Sequence, residues 1–228
     1  MKSELDALMK AKNMDAFVVF GHAENNPPMT YLTGGGHVSH ATLIKKCGEE
    51  PFYFFGDMER DEAAKSGLKL IPYSKYDGEA LFKKANRDTL LAAALRAELM
   101  FRDVGVVSGR VGVYGFYDLG AIYGLLSHLQ TLLPEIEFVG EAREDSIFLL
   151  AMETKDEAEV NRIRKMGRIT TEVVDKVKDY LTSCEVRDDE VLLKEDGSPL
   201  TVGDVHSKIR FWVSSSMPQP SSATSRQT

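Results

Sequence analysis

The chain has 228 residues, of which 43% are hydrophobic and 28% charged, and it carries a formal net charge of −7 at pH 7. This composition is typical of a soluble globular protein with one or two domains. No apolar run approaches the roughly 18 residues that a membrane span needs. The negative net charge and the lack of clustered basic residues disfavour nucleic-acid binding. Cys47 and Cys184 are isolated, and the first residues lack a signal-peptide core, so we expect a cytoplasmic protein without a disulfide framework.

The first two thirds of the chain alternate between strand and helix patterns. The predicted elements are, in order, a helix over 3–12, a strand over 16–20, a loop over 25–28, strands over 40–46 and 50–55, a helix over 58–66, a strand over 68–74, a long helix over 78–101, a strand over 110–115, a helix near 119–132 and a strand over 135–140. The two strands joined through Cys47 and Gly48 predict a hairpin. Because a hairpin adds antiparallel strands to βα units, we expect an α/β fold with a mixed sheet.

The pattern changes from residue 153 onward. Thr154 and Glu157 have the T-x-x-E spacing of a capping box, which predicts the start of a helix. Apolar residues then recur three or four positions apart over roughly six turns, as on one face of an amphipathic helix. These residues are Val160, Ile163, Met166, Ile169, Val173, Val177 and Leu181. A face of this size has to pack on residues 1–150, pair with another chain, or aggregate.

The end of the chain contains one further helix pattern and then loses periodicity. Thr201 and Asp204 predict the N-terminus of that helix. Residues 214–228 are rich in Ser, Thr, Pro and Gln, which predicts a disordered tail. We therefore divide the chain into an α/β domain over residues 1–152, a helical segment over 153–213 and the tail.

The stretch "MTYLTGGGHVSH", residues 29–40, is the most unusual local sequence. It does not predict a phosphate site, because Ser39 replaces the last glycine of a G-x-G-x-x-G motif and a strand follows instead of a helix. It does not predict a metal site either, because His37 and His40 lead into a strand, on opposite sides of it, without the third ligand that zinc requires. No nucleophile motif is present. The residues alone therefore give no complete active site.

The order of the elements resembles that of the creatinase/prolidase/aminopeptidase P family, the "pita-bread" metallopeptidases. The segment "AFVVFGHAENNPPMTYLTGG" combines a buried strand, a polar loop and an aromatic-Leu-Thr-Gly sequence, and "GDMERDEAAKSG" follows the hairpin. The family's first catalytic helix carries a Lys-x-x-Glu-Glu-Ile-x-x-Ile/Leu-Arg pattern. It occurs here, slightly displaced, as Lys155, Glu157, Glu159, Val160, Ile163 and Arg164. The resemblance extends to about residue 213, and it identifies the triple glycine as a turn that needs unusual backbone angles.

The resemblance implies a creatinase/prolidase-type N-terminal domain followed by the first helices of an incomplete pita-bread α+β domain. Members of the family hydrolyse Xaa-Pro bonds in proline-containing peptides with two divalent metal ions, such as Mn or Co. Their Asp, Asp, His, Glu and Glu ligands lie beyond the matched segment, so we assign no catalytic residue, metal ligand or cofactor to this chain. We expect these residues to be inactive alone, whether the missing region reflects a genuine truncation or a frameshift.

The same resemblance suggests a role for the two histidines after the glycines. In some relatives the N-terminal domain of one subunit lines the active site of its neighbour, so His37 and His40 are candidates to face substrate across a dimer. The alternative is a polar strand edge without substrate contact. A homo-oligomer is therefore expected. A second hypothesis for the whole chain is a non-enzymatic oligomerisation or partner-binding module that uses the helix over 156–181.

Overall fold

The computed structural model describes residues 2–216, with side chains from residue 4 onward. The chain divides into two compact units, Met1–Thr154 and Lys155–Thr228. The strands of the first unit are β1 Ala16–Gly21, β2 Ala41–Lys46, β3 Phe52–Phe55, β4 Lys69–Pro72, β5 Gly109–Phe116 and β6 Ile136–Val139. Its helices are α1 Lys2–Ala11, α2 Pro27–Thr33, α3 Arg60–Ala64, α4 Gly78–Lys84, α5 Thr89–Asp103, α6 Leu119–Leu132 and α7 Ile147–Glu153.

The six strands form one mixed sheet in the order β4-β3-β2-β1-β5-β6. Strands β2 and β3 pair antiparallel, which confirms the predicted hairpin. The central strand β1 pairs antiparallel with β2 and parallel with β5, which confirms the mixed α/β sheet. All six residues of β1 are buried, as its continuous apolar run predicts for a strand covered on both faces. Phe17 and Val19 belong to a core with α1, α2 and α7, whereas Val18 and Phe20 belong to a core with α5 and α6.

Two local predictions in this unit are wrong. Residues 25–28 are not wholly a loop, because α2 begins at Pro27, where the missing N–H of proline costs nothing in the first turn. The long helix predicted over 78–101 is two helices, α4 and α5, separated by Asn86 and Arg87 with φ of 52° and 66°. These left-handed residues break the helix.

The second unit contains α8 Glu157–Ser183, the short strands β7 Glu185–Val186 and β8 Leu192–Leu193, and α9 Val202–Ser216. The capping box at the start of α8 is formed by Asp156 and Glu159, not by Thr154 and Glu157. The predicted start of α9 is confirmed, because the Thr201 N–H donates to Asp204 Oδ2 at 2.9 Å and the Asp204 N–H donates to Thr201 Oγ1 at 3.2 Å.

Helix α9 runs through Ser216 and so includes the first three residues of the predicted tail. The rest of that tail, residues 217–228, lies outside the described residues. Along α8, Ile169 and Val173 are buried, whereas Ile163 and Met166 of the same apolar stripe are 58% and 43% exposed. Within residues 2–216, no helix is both long enough and apolar enough to cross a membrane.

Candidate functional site

The candidate site lies at the edge of the sheet where the parallel strands β1 and β5 end. After β1 the chain continues to β2 on one side, and after β5 it continues to β6 on the other side. Connections that diverge in this way leave a crevice beyond the carboxyl ends of the strands, which is where α/β sheets commonly bind ligands. Gly21 permits the two strand ends to approach, since a Cβ there would lie 2.2 Å from the Phe116 carbonyl oxygen.

The three glycines at this edge form a turn, as predicted. Gly34, Gly35 and Gly36 have φ of 80°, 92° and 149°, values that residues with a side chain rarely adopt. Gly34 also ends α2 in the left-handed conformation, and its N–H donates to the Thr30 carbonyl oxygen at 2.8 Å. The glycines therefore redirect the chain from α2 into β2.

The loop after the glycines is held by carboxylates from the segment around α3. Glu59 Oε1 accepts hydrogen bonds from both the N–H and the hydroxyl group of Ser39, each at 2.6 Å. The His37 N–H donates to Glu62 Oε2 at 3.5 Å, and its Nδ1 lies within hydrogen-bond distance of Glu24 Oε1. The His37 ring itself is exposed, so this anchoring fixes the backbone while the imidazole still faces solvent.

The two predicted site histidines do not converge on one point. His37 borders an open hollow with His22, Glu24 and Phe116. His40 lies outside that lining but beside His22, with ring centroids 5.2 Å apart and ring planes tilted by 41°. His22 has no motif around it in the sequence, and only the pairing of β1 with β2 brings it next to His40. The edge therefore presents three exposed imidazoles around the ends of β1 and β2.

A cavity of about 170 Å³ opens at the same edge, between the sheet and helices α5 and α6. Arg96 of α5 lies over the ring of Tyr73, with its guanidinium carbon 4.6 Å from the ring centroid. The hydroxyl groups of Tyr73 and Thr42 are hydrogen-bonded at 3.0 Å. Burial raises the pKa of Tyr73 to about 12, against the opposing effects of Thr42 and Arg96, so the phenol is neutral near pH 7.

Comparison with known proteins supports a peptidase fold. No protein-family model matches the sequence, and no curated protein matches it either. Solved peptidase structures do share the fold. An X-Pro aminopeptidase from Thermotoga maritima aligns with a TM-score of 0.58 at 11% identity, over 95% of this chain and 49% of its own. A dipeptidase from Mycobacterium ulcerans aligns with a TM-score of 0.56 at 15% identity, over 93% of this chain and 47% of its own.

A prolidase from Thermococcus sibiricus gives a similar result, with a TM-score of 0.55 at 12% identity over 92% of this chain and 47% of its own. The chain thus spans less than half the length of each of these structures. The resemblance read from the sequence is therefore confirmed at the level of the fold.

The metal pair that the resemblance implies does not fit the residues described. Within residues 2–216, no group of three or more His, Cys, Asp and Glu side chains is arranged to hold a metal ion. The three imidazoles at the sheet edge do not form such a group. No reaction step through a metal is therefore assigned to these residues.

Proposed function

We propose that this chain serves as the N-terminal part of a protein of the Xaa-Pro peptidase type and contributes to peptide hydrolysis only together with a catalytic region. The observation that carries the proposal is the alignment of 95% of the chain with less than half of an X-Pro aminopeptidase. A proline-containing peptide would be the substrate of the complete assembly. The two divalent metal ions that activate water in such a reaction would be held by that catalytic region.

Within this proposal, His37 and His40 face the substrate of a neighbouring subunit in a homo-oligomer. Their loop is fixed by Glu59 and Glu62, while the imidazole rings stay in solvent. Next to them, Phe116 is 61% and Tyr117 is 49% exposed. Exposed aromatic residues beside an anchored polar loop are typical of a surface that another protein covers.

The proposal also places the chain in the cytoplasm. Both cysteines are free and half-buried, as is usual for proteins of a reducing compartment.

A chimera tests the histidine pair. The chain is joined to the catalytic half of the Thermotoga X-Pro aminopeptidase, and His37→Ala and His40→Ala are introduced together. We expect kcat/KM for an Xaa-Pro peptide to fall about tenfold, the size of one lost hydrogen bond. His128→Gln, a half-buried histidine near the far end of α6, is the matched control. An unchanged kcat/KM in the double variant would exclude the substrate-facing role.

A specific observation favours a second candidate function, that of a partner-binding module. On α8, Ile163 and Val174 are 58% and 59% exposed, and Met166 is 43% exposed. Ile163→Glu together with Met166→Glu should then dissociate an oligomer, measured as native mass by light scattering. Val202→Glu, at an apolar site of α9 that is 73% exposed, is the control. An oligomer that survives the double variant would rule out this surface.

A further inference from the structure

We infer that the cavity between the sheet and helices α5 and α6 is a binding site for a small organic carboxylate with an apolar body, and that Arg96 pairs with its carboxylate group. This inference does not depend on the peptidase proposal. It rests on the environment of one arginine and on the size and lining of the cavity.

Arg96 has no acidic partner among the residues that the structure describes. The contrast with Arg102 on the same helix is informative, because Arg102 pairs with Glu98 one turn earlier at 2.9 Å. One turn to either side of Arg96 the helix carries only apolar residues, namely Ala92, Ala93, Leu99 and Met100. Helix α5 therefore places a cation where no carboxylate of the described residues lies within ion-pair distance, although the charge of Glu59 acts on the neighbouring Tyr73.

Arg96 as a residue is half-buried, so the lack of a counter-ion has an energetic cost. Stacking on Tyr73 recovers only about 0.5–2 kcal/mol. The contact with the ring uses none of the Arg96 N–H groups in a conventional hydrogen bond, so these donors are available to a ligand. A planar fork of N–H donors matches a carboxylate, which can accept two hydrogen bonds side by side.

The cavity sets the size of the ligand. Its volume of about 170 Å³ is comparable with engineered apolar cavities of about 150 Å³ that hold a benzene molecule. A carboxylic acid with a single ring or a short branched chain therefore fits. A larger body would have to extend past the exposed mouth residues Leu90 and Tyr117.

The lining determines the chemical class of the ligand. Its apolar part is contributed by Phe20, Met100, Ile122 and Leu125, and none of the described lining residues is acidic. The Tyr73 hydroxyl donates to Thr42 Oγ1, and His40, the other basic side chain of the lining, lies beside His22, so Arg96 is the permanent cation of the described lining. A lining of this kind favours a ligand with one negative charge and an apolar body. Phosphate is disfavoured, because the charge that Arg96 does not neutralise would lie against apolar side chains.

The first test uses sodium benzoate as the probe and benzamide as its neutral counterpart, titrated into the full chain by calorimetry. We expect saturable one-to-one binding of benzoate and at least about tenfold weaker binding of benzamide. Arg96→Gln should weaken benzoate binding by a similar factor, whereas Arg102→Gln should leave it unchanged. Equal affinity for the two probes, an unaffected Arg96→Gln variant, or no saturable benzoate binding up to about 10 mM would overturn the inference.

A second variant keeps the test decisive if Arg96→Gln does not fold. Ala93 lines the cavity and Ala92 does not, although both lie on α5. Ala93→Leu should fill the space and abolish benzoate binding, while Ala92→Leu should retain it. Thermal unfolding of both variants establishes that they are folded. Benzoate binding that survives in folded Ala93→Leu would locate the ligand elsewhere and contradict the proposed site.

Discussion

Two tyrosines of the same core differ in what their hydroxyl groups contact. The Tyr114 hydroxyl donates to Glu141 Oε2 at 2.6 Å, whereas the buried Tyr53 hydroxyl has no hydrogen-bond partner among the described residues. Tyr114→Phe should lower the free energy of unfolding by about 1–2 kcal/mol, because it removes a bond to a charged acceptor. Tyr53→Phe should leave the free energy unchanged or raise it, because it removes an unsatisfied group. Urea midpoints at constant m-value measure both, and equal losses would contradict this assignment.

Glu141 makes the stability of the first unit depend on pH. Burial raises the pKa of its carboxyl group, but hydrogen bonds from Lys12, Tyr114 and the Ile147 N–H outweigh burial and leave the pKa lowered. A carboxyl group with a lower pKa in the folded state stabilises the protein above its unfolded pKa, and this contribution is lost as the pH falls through the folded value. We therefore expect the difference in stability between wild type and Glu141→Gln to shrink below the ordinary pKa of 4.5. A difference that is constant with pH would exclude this coupling.

At the level of single residues, the sequence reveals only part of the candidate site. The triple glycine is recognisable as a turn because few other residues tolerate positive φ. Arg96 is not recognisable, because a lone arginine in an apolar helix usually lies on a solvated face. That Arg96 lacks an ion-pair partner can be recognised only once α5 is packed on the sheet and the positions of the nearby carboxylates are known. His22 is missed for the same reason, since its contact with His40 depends on strand pairing.

Among the helices, α5 begins with a side-chain cap directly after the break that follows α4. The Asp88 carboxylate accepts a hydrogen bond from the Leu91 N–H at 3.0 Å at the start of α5. Asp88→Ala should lower the free energy of unfolding by about 1 kcal/mol. Asp175→Ala, at an exposed acid within α8, is a control that should change it little. Thermal denaturation compares the two variants, and equal effects would show that the cap does not stabilise α5.

Helix and strand patterns in the sequence predict which elements this chain forms more accurately than they predict the residues at which those elements begin and end. The strand β1 and the helix α6 follow directly from apolar periodicity, and the sheet follows from the alternation of these patterns. The residue that caps α8 cannot be predicted in this way, because Thr154 and Asp156 are each followed three residues later by a glutamate, as a capping box requires. The Thr154 hydroxyl contacts Glu4 Oε2 at 2.8 Å, and Asp156 caps the helix instead. A tertiary contact of this kind has no local signature in the sequence.

For the chain as a whole, the fold and the metal-binding capacity are separate properties. The fold is shared with solved peptidases over almost the whole chain, yet residues 2–216 contain no arrangement of side chains that would hold a metal ion. At identities of 11–15%, these comparisons show that the architecture is shared. Under the proposed function, this chain contributes to an Xaa-Pro peptidase whose metal ions are held by a separate catalytic region.

The most direct measurement is the metal content of the purified chain after dialysis against Mn²⁺ or Co²⁺, combined with an assay for Xaa-Pro hydrolysis. We expect substoichiometric metal and no hydrolysis above the buffer rate. Two ions bound per chain, together with hydrolysis that a chelator abolishes, would show that the chain contains a metal centre and would contradict the claim.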